Sequence, residues 1–400
     1  MDEKMQQMLL GIPGARRAAS GVILPMEGGG FYHVHAVHDL ASQQDLSDDE
    51  RFYLAFCARR EILRLRELRN GHDYLLRLRA NALVDSARGV RVMNARRQAF
   101  EQKGRPWSLT EYYHTRDHHH KQYLELLGRA HRKRLRDIPA GLAFVPEMNA
   151  LCVRSLVGDI VVASENLEHF YRYMTLAFHG RELGMADLDR NHALLIAARI
   201  ARGSEAPDFD LDPRGVLEPV LEREVARRVH AQMQFTFGHE YAHLLRGHLA
   251  GDATAVAGAG DVKTYAHALE YEADLYAVRH VEQHADACRT IAEGACDVLV
   301  HLDFIGRVHD LCALKAFSVS STHPSPEQRL RRLHQALGKR SPLAGDAQID
   351  ALLERSAAMA ERLRRIVDAA ADRGQDLMEV YGSAYLPGYK PKRLQDRIDY

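Results

Sequence analysis

Apolar residues recur at spacings of three and four along most of the chain, a period that predicts helices. The first such run, "SDDERFYLAFCARREILRLRELRN", opens at Ser47 with a serine suited to cap a helix and acidic residues in the first turn. Helical patterning continues to about Arg136. Ahead of it, residues 1 to about 45 are rich in glycine and short polar residues and read as loop and short strand. The period changes after Pro139. "AGLAFVPEMNALCVRSLVGDIVVAS" predicts two short strands, one marked by the β-branched density of "GDIVVAS", and a helix follows, capped by Ser164 or Asn166. Residues 202–215 are a loop by composition. One long amphipathic helix is expected from Pro219 to Leu249, with Val225, Val229, Thr236 and His243 close to one face. A small-residue loop (251–261) leads to helices over about 264–282 and 285–317. The loop "SVSSTHPSP", a helix from Pro326 and a last helix over about 346–373 complete the pattern. The tail from Tyr381, punctuated by Pro and Gly, is expected at the surface.

The pattern predicts an α+β fold that is mainly helical. Residues 1–138 form an N-terminal region of charged helices. Residues 139–337 form a domain with a small sheet beside the long helix, and residues 338–400 form a C-terminal helix and surface tail. A length of 400 residues suits two or three such units. The 27% of charged and 46% of apolar residues are ordinary for a soluble protein, and the formal net charge of zero gives no global field toward nucleic acid or an anionic membrane. Between Ser47 and Arg136 basic residues outnumber acidic ones by about two to one. Solvated helix faces account for this. A docking surface for RNA or an acidic partner is the other reading, with no aromatic-interleaved motif to carry it.

Five cysteines, at 57, 152, 288, 296 and 312, form no CxxC and are odd in number, which predicts no disulfide framework and a reducing compartment. The N-terminus has no long apolar segment, and no run of about eighteen apolar residues occurs. A cytoplasmic protein without membrane insertion is expected.

The candidate chemistry lies in "FGHEYAHLLRGH". Residues four apart on a helix are offset by only about 40°, so His239 and His243 point the same way, as two imidazoles on one zinc ion must. Glu240 stands on the rim of that face. It can take the proton of a water molecule whose pKa the ion lowers from ~15.7 toward ~7. Gly238 costs about 1 kcal/mol against Ala in a helix, so something is expected to approach closely there. For a third ligand, His248 lies nine residues from His239, about 180° around the helix, and reads as a solvated or second-layer residue. The better candidate is Glu270 in "HALEYEADLYA", with Asp274 one turn on to orient a ligand histidine. His267 is a rival ligand. In "HTRDHHHKQY", His114 and His118 share i, i+4 spacing without an acidic or Cys partner and are not read as a metal site.

Three motifs in order resemble the HtpX and CAAX-prenyl endopeptidase family of gluzincin zinc metallopeptidases: "GHEYAHLLRGH", then "EYEAD", then "THPSPEQRLRRL" (322–333). "PEMNALCVRSLVGDIVVASENLEHF" (146–170) resembles the family's strand pair and helix. The resemblance covers about residues 140 to 337. It implies a zincin-like domain with one zinc ion on His239, His243 and Glu270, and Glu240 as general base. It further implies a supporting role for Asp274 and transition-state contacts from His323 with Arg329. The family's membrane-spanning helices are missing here, so a membrane or prenylated substrate is not implied. The Lit phage-exclusion peptidase is distantly similar in its use of HExxH.

Ser325 and Gln328 have capping-box spacing and Pro326 suits the first helical position, so His323 is expected just outside a helix N-terminus with Arg329 a turn inside. The expected function is a soluble zinc metalloendopeptidase acting on a protein or peptide, with the substrate extended beside "GDIVVAS". The alternatives are an inactive peptidase fold that binds a partner, against which the intact Glu240 argues, and a nucleic-acid-associated protein.

Overall fold

Short strands and a run of helices precede the site-bearing half. The computed structural model describes residues 3–18, 21–34, 45–84, 87–206, 208–209, 217–249, 259–309 and 324–388. Helix α1 (Glu3–Leu10) leads into an antiparallel meander of β1 (Arg16–Arg17), β2 (Val22–Pro25) and β3 (Phe31–Val34). Seven helices follow: α2 (Asp48–Phe52), α3 (Arg59–Glu67), α4 (Gly71–Val84), α5 (Ala87–Glu101), α6 (Leu109–Arg116), α7 (His118–Leu126) and α8 (Arg129–Leu135).

Ser47 caps α2 as its sequence predicts. Its side chain accepts from the Glu50 amide (3.3 Å), and Glu50 accepts from the Ser47 amide (2.8 Å). The helical run then breaks at a 3-10 turn, Tyr53–Ala55, and restarts at α3. The break serves α6. Glu61, 1% exposed, accepts from Ser108 Oγ (2.8 Å) and from the amides of Leu109 (3.0 Å) and Thr110 (2.8 Å), donors that a helix start leaves without partners. Many of the arginines in this region are engaged internally. Arg64 pairs with Asp73, Arg66 with Glu50, Arg79 with Asp117, Arg96 with Glu165 and Arg116 with Glu168.

The second sheet has three strands where the sequence predicts two. They are β4 (Ala140–Ala143), β5 (Ala150–Ser155) and β6 (Gly158–Ser164), in the order β4-β6-β5. The first escapes prediction because "AGLA" has no β-branched residue. Its presence corrects the expected substrate edge. Strand β6, "GDIVVAS", lies in the middle of the sheet. Val161, Val162 and Ala163 pair in parallel with β4 on one side and antiparallel with β5 on the other, and all three are buried. No backbone edge is left there for a peptide. Among the described residues the edge strand near the long helix is β5.

Ser164 caps α9 (Glu165–His179) by accepting from the Asn166 amide (3.0 Å). Then come α10 (Asp187–Arg202), α11 (Pro219–Arg246), α12 (Ala259–Arg279), α13 (Ala285–Arg307), α14 (Pro326–Leu337) and α15 (Asp346–Ala371). Helix α11 is central and packs against α7, α9, α12, α13 and β5. A single apolar cluster, from Leu46 through Phe170, Phe237 and Leu299 to Leu386, runs across position 139. Part of the tail is tied in. Arg199 donates to the carbonyls of Val380 (2.8 Å) and Gly382 (3.1 Å), and Leu386 is buried while Tyr381 is exposed. Among the described residues no helix is long and apolar enough to cross a membrane.

Gly238 is where the close approach occurs. A Cβ there would stand 2.7 Å from the ring of Tyr123 on α7, and that ring is fixed by a hydrogen bond from its hydroxyl to the Ala277 carbonyl (2.8 Å). Gly238→Ala gains about 1 kcal/mol in helix propensity but overpacks a fixed ring at a cost of about 1–3 kcal/mol. The variant should unfold at lower urea concentration; an unchanged or higher midpoint would show that Tyr123 gives way freely.

One buried ion pair ties the helices before and after the sheet. Arg96 on α5, 4% exposed, donates to Glu165 on α9, 1% exposed, at 3.0 and 2.8 Å, and Tyr113 Oη donates at 2.6 Å. Burial alone would raise the Glu165 carboxyl, but Arg96, Arg116 and Tyr113 hold it down at about 2, against 4.5 ordinarily. A folded-state value below the unfolded one means that the carboxylate stabilises fully above about pH 4.5 and loses that contribution as pH falls toward 2. Acid titration followed by circular dichroism should therefore show less loss of stability between pH 4.5 and 2 in an Arg96→Met, Glu165→Met double variant than in the intact chain.

Candidate metal centre

Helix α11 carries His239, Glu240 and His243, and α12 crosses it with Glu270 and Asp274. The Nε2 atoms of His239 and His243 lie 3.1 Å apart. Glu270 turns one carboxylate oxygen to each, Oε2 to His239 Nε2 at 3.5 Å and Oε1 to His243 Nε2 at 3.6 Å. A tetrahedral ion with bonds of about 2.0–2.1 Å separates its ligand atoms by about 3.3–3.4 Å. The three side chains form a triangle with spacings near that tetrahedral edge, although Glu270 meets the two rings through different oxygens. The three side chains are between 11% and 15% exposed, so the face is enclosed but reachable. These residues can hold a metal ion.

Both histidines are set in the tautomer that ligates through Nε2. Asp274 accepts from His239 Nδ1 (3.0 Å), so once the ring gives up its second proton to an ion the lone pair falls on Nε2. For His243 the orientation comes through His248. The Glu272 carboxylate accepts from His248 Nε2 (2.9 Å), so His248 Nδ1 accepts from His243 Nδ1 (2.9 Å) and the His243 lone pair also falls on Nε2. His248 is thus a second-layer residue, as its spacing predicts, but the route differs. Helix α11 ends at Arg246, not at Leu249, because Gly247 adopts φ 78° and turns the chain back. His248 then faces His243 rather than the far side of the helix.

Asp274 is itself held by Arg329 on α14, whose Nε donates to Oδ2 (2.8 Å) and whose second nitrogen donates to Oδ1 (2.6 Å). Burial favours the neutral acid, yet Arg329 and His239 hold Asp274 well below the usual carboxylate range. The same guanidinium stands 3.8 Å from Glu270. Arg329 therefore reaches the centre through Asp274. Ser325 caps α14 by accepting from the Gln328 amide (3.2 Å), as predicted. His323 lies outside the described residues, as do Cys312 and residues 251–258 of the expected 251–261 loop, whose last three positions belong to α12.

Burial pushes His239 down, but Asp274 and Glu270 outweigh it and hold it up at about 10. Burial and its charged neighbour push His243 down to about 3. The carboxylates of Asp274 and Glu270 thus favour positive charge on the pair, and the first ring's charge disfavours a second. Glu240 is partly exposed beside the triangle. Burial raises its carboxyl to about 7, opposed by His239 and by a hydrogen bond from the Cys152 amide. That amide belongs to β5, so the edge strand meets the centre at Glu240. His267 does not join the triangle, and its Nε2 is enclosed with no hydrogen-bond partner among the described residues. A cavity of about 620 Å³, lined by His131, Arg279, His280 and Arg340, lies apart from these side chains.

Sequence reasoning missed the Cys152 amide, the His248 relay and the partnership of Arg329 with Asp274. Backbone edges and contacts between helices far apart in sequence leave no local trace. Compared with family models, curated proteins and solved structures, the chain matches none.

Proposed function

We propose that this chain is a zinc metalloendopeptidase. The observation that carries the reading is the convergence of two Nε2 atoms and a carboxylate on one point, with Glu240 beside it and with an orienting partner behind each histidine. Three protein ligands with an open fourth position and mixed N and O donors suit catalytic zinc. Bound there, the ion would act as a Lewis acid, lowering the pKa of a water molecule and polarising a peptide carbonyl.

The remaining work falls to the chain. Glu240, beside the three side chains that would hold the ion, accepts the proton of the attacking water and passes it to the leaving amine. Asp274 and Arg329 keep the His239 ring in place while charge moves. Among the described residues strand β5 is the edge strand at Glu240, and an extended peptide can pair along it beside the Cys152 amide that Glu240 takes.

The test is hydrolysis of casein by the purified protein with metal counted per chain. Activity should vanish with a chelator and return with Zn²⁺. A protein loaded at His239, His243 and Glu270 that cuts no peptide substrate would leave a metal-binding protein rather than a peptidase.

A further inference from the structure

Nine residues before His239, about half a turn around α11 from it, a second set of imidazoles gathers. Helix α7 opens with His118, His119 and His120, and α11 brings His230 against the first two. His119 Nδ1 and His230 Nδ1 are 2.7 Å apart. The ring of His118 lies 3.9 Å from that of His119 and stacks on that of His230 at 5.7 Å between centroids. One nitrogen from each of the three falls within 4.8 Å of the others. His119 is 3% exposed, His230 partly buried and His118 exposed.

The far nitrogen of His119 repeats the arrangement seen at His239. His119 Nε2 faces Glu168 Oε1 at 3.4 Å, and Arg116 donates to the other oxygen of Glu168 at 3.1 Å. A carboxylate is an acceptor only, so Nε2 carries the hydrogen and the Nδ1 lone pair points at His230. A carboxylate behind a histidine, with the histidine's free nitrogen aimed at another imidazole, is the layout of an oriented metal ligand.

We propose that His118, His119 and His230 form a second metal site, one that binds a late first-row divalent ion such as zinc and fastens α7 to α11. An all-imidazole donor set favours such ions over calcium or magnesium. A tetrahedral nitrogen site has edges of about 3.3 Å, so the His119–His230 contact opens slightly and exposed His118 closes in by a rotamer adjustment. The role follows from what else α7 supplies. Its Tyr123 fills the notch at Gly238, and Tyr241 of α11 meets His120 Nδ1 at 3.2 Å. An ion holding the first turn of α7 to α11 fixes the layer on which the first centre stands. The competing arrangement is a plain hydrogen bond between His119 and His230, which uses no metal and gives His118 no part.

Chelator-treated protein is dialysed against buffered Zn²⁺ and metal is counted per chain. Two ions are expected for the intact chain, one for a His119→Ala, His230→Ala variant and one for a His239→Ala, His243→Ala variant. A His119→Ala, His230→Ala variant that binds as many ions as the intact chain overturns the site. Failure of the first centre reads differently, since the His239→Ala, His243→Ala variant would then match the intact chain. Because removing buried His119 can unfold the protein, His118→Ala is the second variant. It should keep its circular dichroism and, in the His239→Ala, His243→Ala background, bind Zn²⁺ at least about tenfold more weakly. Unchanged affinity there also overturns the proposal.

Discussion

Glu240→Gln should retain its metal and lose about 10²–10⁴-fold in turnover, the range that a positioned general base contributes. The carboxamide has nearly the shape of the carboxylate and can accept from the Cys152 amide, so fold and strand edge stay in place. What it cannot do is accept a proton. The loss should fall on kcat, because Glu240 does not belong to the triangle of metal-holding atoms. Steady-state hydrolysis alongside metal content is the measurement. Turnover within a few-fold of the intact chain at equal metal content removes Glu240 as the proposed base.

Arg329→Met should be the most destabilising change near the centre. It leaves Asp274, 2% exposed at its side chain, as a buried carboxylate whose remaining partner among the described ion pairs is His239. Breaking a buried pair from one side costs about 3–5 kcal/mol, and losing an orienting partner weakens metal binding about 10–100-fold. Asp274→Asn in the same background removes the stranded charge and should recover part of the stability but not the metal affinity. Urea unfolding and competitive chelation report the two effects separately. Equal stability of Arg329→Met and the intact chain would mean that Asp274 finds another counter-charge.

The centre was legible where chemistry is written into local spacing. Four residues on a helix bring His239 over His243, and the same spacing sets Asp274 behind Glu270. Ser47, Ser164 and Ser325 each cap a helix because the cap is an interaction across two or three residues. The mainly helical fold with small sheets follows from the same periodicity. What escaped depends on neighbours. Strand β6 carries a strong strand signal, but its place between β4 and β5 depends on "AGLA", which carries none. His119 and His230 meet across more than a hundred residues of sequence, and His114 and His118 lose their common face because Asp117 separates α6 from α7.

Tyr123 in the Gly238 notch has a consequence for how the protein is made. The chain emerges from the ribosome N-terminus first, so α7 exists long before α11 is synthesised. The Tyr123 ring, however, is fixed by Ala277 of α12, so the notch is filled once α7, α11 and α12 are all present. Cutting the gene before residue 139 would deliver the HExxH helix without α7, and its unfilled face would invite aggregation during synthesis. A gene that kept only the motif-bearing half would encode His239, His243 and Glu270 without the ring that packs against Gly238.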